Sequence, residues 1–148
     1  MVRRIDHYAS AFAFAVMGAS VASAFATWLV HGTDRSSEWT MWVAMIAIGA
    51  TSAVLGSSIV RVADFASSPG SAWRVFGAGV AAGLVSLALF ACGLAIIETV
   101  RAESASFTGL LGTLWLFLLW GLLLFGLPAM VLGGLTALGL RRALRSGR

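Results

Sequence analysis

The sequence predicts an all-α integral membrane protein: a four-helix transmembrane bundle built of two hairpins, with both termini in the cytoplasm. The 148-residue chain is 59% hydrophobic and only 11% charged, with a mean hydropathy of +0.94, whereas a soluble domain is about half apolar and about a quarter charged. Four charge-free runs each reach the roughly 20 residues that span a bilayer as a helix. Arginines collect between the runs. Disordered chains, nucleic-acid-binding domains and most water-soluble globules are therefore excluded.

The first charge-free run covers residues 8–30 and predicts the first span. Arg3 and Arg4 give it a basic start, and the small residues at 22–24 are similar to a cleavage site, so a signal peptide is the alternative. The run is longer than the about 7–15 apolar residues of a signal peptide. Cleavage would also leave an odd set of three helices. We therefore expect a retained span, with cleavage as the open alternative.

The second span is predicted over residues 39–60 and the third over residues 75–97. Between them, Ser-Ser-Pro-Gly-Ser at 67–71 predicts a turn. Barrel strands would alternate apolar and polar residues over about ten positions, and no segment does so for that long. The short connecting segments leave no room for a soluble catalytic domain. Residues 1–148 are therefore predicted to form a single transmembrane domain.

The fourth run, residues 110–140, is too long for a single straight span. As one helix it would extend about 46 Å, against a hydrocarbon core of about 30 Å. Pro128 removes a backbone donor and predicts a bend. We expect a span over residues 108–127 and a kinked extension over residues 128–140.

The amino acids of the fourth span differ from those of the other three. Leucines surround Trp115 and Trp120, which predicts a peripheral helix that faces lipid or a neighbouring subunit. Trp120 would lie about 20 Å along the helix, near the middle of the membrane. A quinone, carotenoid or lipid tail could stack on it there, and simple filling of space is the alternative.

The distribution of arginines predicts the orientation. One side of the membrane would carry Arg3, Arg4, Arg61, Arg74, Arg141, Arg142, Arg145 and Arg148. The other side would carry only Arg35 and Arg101. Because positively charged loops stay inside, both termini are predicted to be cytoplasmic. We expect a multi-pass protein of the bacterial cytoplasmic (inner) membrane.

Small residues at four-residue spacing predict close helix packing in the first three spans. Such ridges let helix backbones approach each other, within the bundle or against a partner. The predicted packing residues are Ala15, Ala19, Ser23, Gly49, Ala53, Gly79 and Gly83. A second ridge on the first span contains Gly18, Ala22 and Ala26.

Ionisable residues are missing from the middle of every predicted span, which counts against a proton-coupled transporter. His7 and His31 flank the first span about 36 Å apart, so they cannot ligate one ion or haem together. A metal site of His31, Asp34 and Glu38 is chemically feasible, but nothing in the sequence fixes its geometry. We therefore predict no catalytic residues, no metal and no cofactor. His7, His31 and Trp120 are the candidates for contact with a haem, quinone or lipid tail.

The function predicted from these features is that of a non-catalytic accessory or assembly subunit, which is not an enzyme and packs against partner transmembrane helices. One alternative is a small transporter or lipid-carrier flippase component, in which Arg61, Arg74, Arg141 and Arg142 would bind anionic headgroups or a partner. Another is a haem- or quinone-associated subunit of a respiratory complex. The expected partners are the lipid bilayer and other membrane subunits or further copies of the chain, and no nucleic acid.

Overall fold

The computed structural model describes residues 2–31, 39–101 and 106–146, with side chains at residues 6–27, 42–100 and 106–146. Within these ranges the protein is helical and contains no strand. The helices are α1 (Val2–His31), α2 (Trp39–Ile59), α3 (Val62–Ser67), α4 (Ala72–Arg101) and α5 (Phe107–Ser146). Four of them, α1, α2, α4 and α5, are long and apolar enough to cross a membrane. The prediction of four such helices is confirmed, and they are compatible with a multi-pass membrane protein.

Large apolar side chains point outward from these four helices. Phe12 and Leu123, for example, are mostly exposed. The buried share of the apolar segment is 28% in α1 and 33% in α2 and in α4, but only 17% in α5. Lipid tails are as apolar as leucine, so such surfaces suit a bilayer. The figure for α5 marks it as the least enclosed of the four.

The four long helices pack as α1 against α2 and α4 against α5, and α2 contacts α4 between the two pairs. A ridge of buried residues on α1 recurs every fourth position: Asp6, Ser10, Phe14, Gly18, Ala22 and Ala26. Positions four apart lie on one face of a helix. The most deeply buried residues of α1 therefore form a single stripe along the helix.

The segment between α2 and α4 contains the short helix α3, where the sequence predicted only a turn. Arg61 precedes α3 in the left-handed region, with φ 55° and ψ 44°. That conformation lets the chain change direction between α2 and α3. Val62, Ala63 and Ala66 of α3 are buried, and α3 packs on α4 and α5. The middle segment therefore folds against one end of the bundle.

Helix α5 continues through Pro128 and is 40 residues long, about 60 Å at the usual rise. Its buried residues begin at Gly126 and end at Arg141. The half of α5 before Gly126 therefore has no fully buried residue, and the bend near Pro128 stays a prediction.

Candidate functional site

Close backbone contacts between small residues hold α1 against α2. A Cβ added to Gly18 would overlap the carbonyl oxygen of Gly49 and would lie 2.5 Å from the Cβ of Ala53. The Cβ of Ala22 occupies the space where Gly49 has no side chain. Gly49 and Ala53 were predicted as packing residues from their spacing. They pack on α1 of the same chain.

The predicted packing residues of α1 lie beside this contact. Ala15, Ala19 and Ser23 are half-buried, whereas Ala22 and Ala26, on the second ridge, are almost fully buried. The two ridges are neighbours on the helix surface, and the structure places the second one against α2.

A similar contact joins α4 to α5. Gly79 of α4 lies against Gly133 of α5, and Gly83 lies against the carbonyl of Ala129. The partner residues on α5 were not predicted, although Ala129, Gly133 and Ala137 repeat the same four-residue spacing. The leucine-rich first half of the fourth span predicted a peripheral helix, whereas the second half of α5 packs closely on α4.

An apolar cavity of about 90 Å³ lies between the two helix pairs. Its wall includes residues 17, 18, 21, 22 and 25 of α1, Gly49 and Ala53 of α2, and parts of 83–94 and 117–129 of α4 and α5. Among the described lining residues only Ser86 carries a hydroxyl. That hydroxyl donates a hydrogen bond to the carbonyl of Ala82 at 2.6 Å. The cavity therefore has the chemistry of a hydrocarbon site.

Aromatic rings form one part of the cavity wall. Phe25 meets Phe90 edge-on with ring centroids 6.1 Å apart, and Phe125 edge-on at 5.1 Å. These contacts tie α1 to both α4 and α5. Trp120 and Leu124 form another part of the wall, and each is about half exposed on the outer surface of the bundle. The structure thus places Trp120 beside a cavity, and its contact with a ligand stays a prediction.

The apolar lining limits what this cavity can do chemically. An apolar cavity of this size excludes water, because water needs two to four polar partners. No acidic, basic or histidine side chain is among the described residues of its wall. The described wall of the cavity is therefore suited to contact with an acyl or prenyl chain.

The two histidines lie at opposite ends of α1, as their spacing requires. Nε2 of His7 is 3.8 Å from Oδ1 of Asp64 in α3, and both side chains are well exposed. Exposed pairs of this kind contribute little to stability. The backbone of His31 ends α1, but its side chain lies outside the described residues, as do Asp34 and Glu38. Within the described part of the chain, no three His, Cys, Asp or Glu side chains form a metal-binding group.

The four predicted headgroup arginines occupy the same end of the bundle as His7, but they differ in environment. Arg61, Arg74 and Arg142 are exposed. Arg141 is only 9% exposed, and its Nη2 donates a hydrogen bond to the carbonyl of Gly70. Arg141 therefore points into the bundle, whereas the adjacent Arg142 points outward. No protein-family model, curated protein or solved structure matches this chain.

Proposed function

We propose that the protein is a small, non-catalytic accessory or assembly subunit of a membrane complex, and that α5 binds a transmembrane helix of another protein. The observation that carries the proposal is the exposure of the first half of α5. We call this surface the free α5 face. It consists of Trp115, Leu116, Leu119, Trp120, Leu122 and Leu123, all of which are exposed.

Two indole groups favour a protein partner over lipid on this face. Trp120 lies 13 residues after Phe107, about 20 Å along the helix, near the middle of a bilayer. Tryptophan prefers the membrane interface, where its N–H finds an acceptor. Neither Trp115 nor Trp120 has a hydrogen bond within the described part of the chain. A partner helix can supply a hydroxyl or carbonyl acceptor at this depth, and a lipid tail cannot.

The small-residue ridges are not needed for partner binding in this proposal. Gly18 and Gly49 pack on each other, and Gly79 packs on Gly133. Because these backbones already touch, the ridges stabilise the subunit itself. The partner helix then contacts larger side chains on α5.

Orientation and connectivity complete the proposal. We place α1 with α2, and α4 with α5, as two hairpins joined in the cytoplasm of a bacterial cell, with α5 bent near Pro128. The support is the predicted placement of eight arginines on one side of the membrane and two on the other. The first half of α5 would then start from the outer surface, and its arginine-rich end would lie at the cytoplasmic surface.

Purification in a gentle detergent followed by mass spectrometry tests the proposal. We expect one defined membrane protein to co-purify in a fixed ratio. The double variant Trp120→Ala/Leu123→Ala should lose it, while Phe12→Ala, at an exposed position on α1, should retain it. A stable monomer or homo-oligomer without a partner would contradict the proposal.

A second candidate function is supported by the apolar cavity. A subunit that holds the prenyl tail of a quinone, or the tail of a lipid carrier, would need a hydrocarbon site beside an aromatic ring, and the cavity next to Trp120 has both features. Solvent extraction of the purified protein should then release a prenyl lipid in about stoichiometric amount. Extracts with bulk phospholipid alone would count against this function.

A further inference from the structure

A buried arginine lies at the end of the bundle where α3, α4 and α5 meet. Arg141 follows the buried Leu140 and is itself only 9% exposed. Nη2 of Arg141 donates to the carbonyl of Gly70, which fixes the guanidinium against the turn before α4. Nη1 is also buried, and no described residue accepts a hydrogen bond from it. A buried charged donor without an acceptor is costly, so this atom points to a missing anionic or polar ligand.

The same place is the N-terminal end of a long helix. Gly70 lies two residues before Ala72, where the 30-residue α4 begins. The first backbone N–H groups of a helix have no partner within the helix and carry a partial positive charge. Ser71 satisfies two of them: its Oγ accepts from the N–H of Trp73 at 3.3 Å, and its carbonyl accepts from the N–H of Arg74 at 3.2 Å. The first turn of α4 contains no acidic residue.

The charged side chains near the N-terminus of α4 are positive, as is the helix end itself. Arg74 lies in the first turn of α4 and is exposed, and Arg141 reaches the preceding turn from α5. Cations are stabilising near helix C-termini and unfavourable near N-termini. Two arginines beside one positive helix end favour the binding of an anion, since an anion relieves both the repulsion and the unsatisfied Nη1.

We propose that Arg141, Ser71, Arg74 and the N-terminus of α4 bind a phosphate group. We call these residues the Arg141 site. Because Nη1 of Arg141 has almost no accessible surface in the free protein, binding must displace the residues that cover it. An oxygen of the phosphate then accepts a hydrogen bond from Nη1, while Nη2 stays on the Gly70 carbonyl. The guanidinium suits this role because its donors are held in a rigid fork, and phosphate is a preferred acceptor. The site is independent of the partner helix proposed for α5.

The position of Trp73 favours a lipid headgroup as the source of the phosphate. Trp73 lies beside Arg74, is 80% exposed, and stacks edge-on with Phe76 at a ring-centroid distance of 6.1 Å. Exposed tryptophans at span ends lie at headgroup depth. An anionic phospholipid therefore places its phosphodiester at the level of the Arg141 site, and a soluble phosphate compound is the other source of the same chemistry.

Lipid binding to the full-length purified protein tests the proposal. Native mass spectrometry would compare phosphatidylglycerol with diacylglycerol, which has the same tails but no phosphate, on the unmodified protein, Arg141→Gln and Arg142→Gln. We expect a preference for phosphatidylglycerol that Arg141→Gln weakens by about tenfold, the size of one charge-assisted hydrogen bond. Arg142→Gln removes the same charge from an exposed position and should change the affinity by about twofold or less. Equal losses in the two variants, or no lipid preference in the unmodified protein, would overturn the proposal.

Two further measurements separate the sources and guard against misfolding. Inorganic phosphate at millimolar concentration should displace the lipid if phosphate alone fills the site, and should have no effect if the lipid tails are required; the site stands in either case. If Arg141→Gln does not fold, Arg141→Lys decides the question. A lysine ammonium lacks the fork that serves Gly70 and phosphate together, so the affinity should fall severalfold. An unchanged affinity in Arg141→Lys would refute the site.

Discussion

Gly79 of α4 and Gly133 of α5 lie with their backbones in contact, because a Cβ added to either glycine would overlap the carbonyl oxygen of the other. The contact is reciprocal and involves backbone atoms, which cannot rotate away as a side chain can. Interiors are packed at crystal-like density and respond even to one added methyl group. Small-residue contacts of this kind, rather than polar bonds, therefore hold the two halves of the α4–α5 pair together.

Gly133→Ala should destabilise the protein by about 1–3 kcal/mol, the range for overpacking of a filled interior. The methyl group would meet the backbone of Gly79, so the two helices must separate. Thermal or chemical unfolding of the purified protein in detergent measures the change.

Gly139→Ala on the same helix is the matched control. A Cβ at Gly139 meets nothing within 4 Å. Since alanine is favoured over glycine in a helix by about 1 kcal/mol, this variant should be neutral or slightly more stable. Equal destabilisation by Gly133→Ala and Gly139→Ala would contradict the close approach of α4 and α5.

Gly93 and Ile48 should show energetic coupling between α4 and α2. A Cβ at Gly93 would lie 2.7 Å from Cγ2 of Ile48, so Gly93→Ala alone should be destabilising. In the presence of Ile48→Ala the clash disappears, and the double variant should be more stable than the sum of the single changes predicts, by about 0.5–3 kcal/mol.

Gly77 provides the comparison for this double-mutant cycle. A Cβ there meets nothing within 4 Å, so Gly77→Ala and Ile48→Ala should add to within about 0.5 kcal/mol. Coupling of the same size in both cycles would show that the effect is not the contact with Gly93.

Filling the cavity should reduce the amount of any bound hydrocarbon ligand. Val21 lines the cavity, and Val21→Phe would place a ring in a space of about 90 Å³. The measurement is the quantity of prenyl lipid extracted per protein molecule. Val43→Phe, at an exposed position outside the wall, should leave that quantity unchanged, and a similar fall in both variants would argue against a ligand in the cavity.

Membrane topology follows from the arginine count and can be measured directly. A reporter fused after Arg148 should be cytoplasmic, and one inserted at Thr33 should be external. Both positions lie outside the described residues. An external C-terminus or a cytoplasmic Thr33 would reverse the proposed orientation.

The four apolar helices were predictable because each run of uncharged residues is long enough to span a bilayer. The face of each helix that packs inside the bundle was not predictable. On α1, Ala19 and Gly18 belong to neighbouring ridges of small residues, and only the second ridge is deeply buried. In soluble proteins, hydropathy distinguishes buried residues from exposed ones. In a membrane protein the lipid-facing surface is as apolar as the helix interface, so hydropathy does not show which face is buried.

The polar end of the bundle is a second place where the sequence does not predict which residue is buried. Arg141 and Arg142 are identical residues at adjacent positions, yet one is buried on Gly70 and the other is exposed. Nothing in the local sequence distinguishes them, because the difference arises from the docking of α3 and its following turn against α5. The six-residue helix α3 was not predicted, because the Ser-Pro-Gly residues that follow it indicate a turn.

Photocrosslinking from the free α5 face in intact cells tests the proposed function most directly. A benzoylphenylalanine at Leu123, which is 69% exposed, would report what lies against α5, and the same group at Phe12 on α1 would report an exposed position on another helix. We expect one discrete adduct with a second membrane protein from position 123 and none from position 12. Adducts only with lipid or with further copies of the chain at position 123, or the same protein adduct from both positions, would contradict the binding of a partner helix to α5.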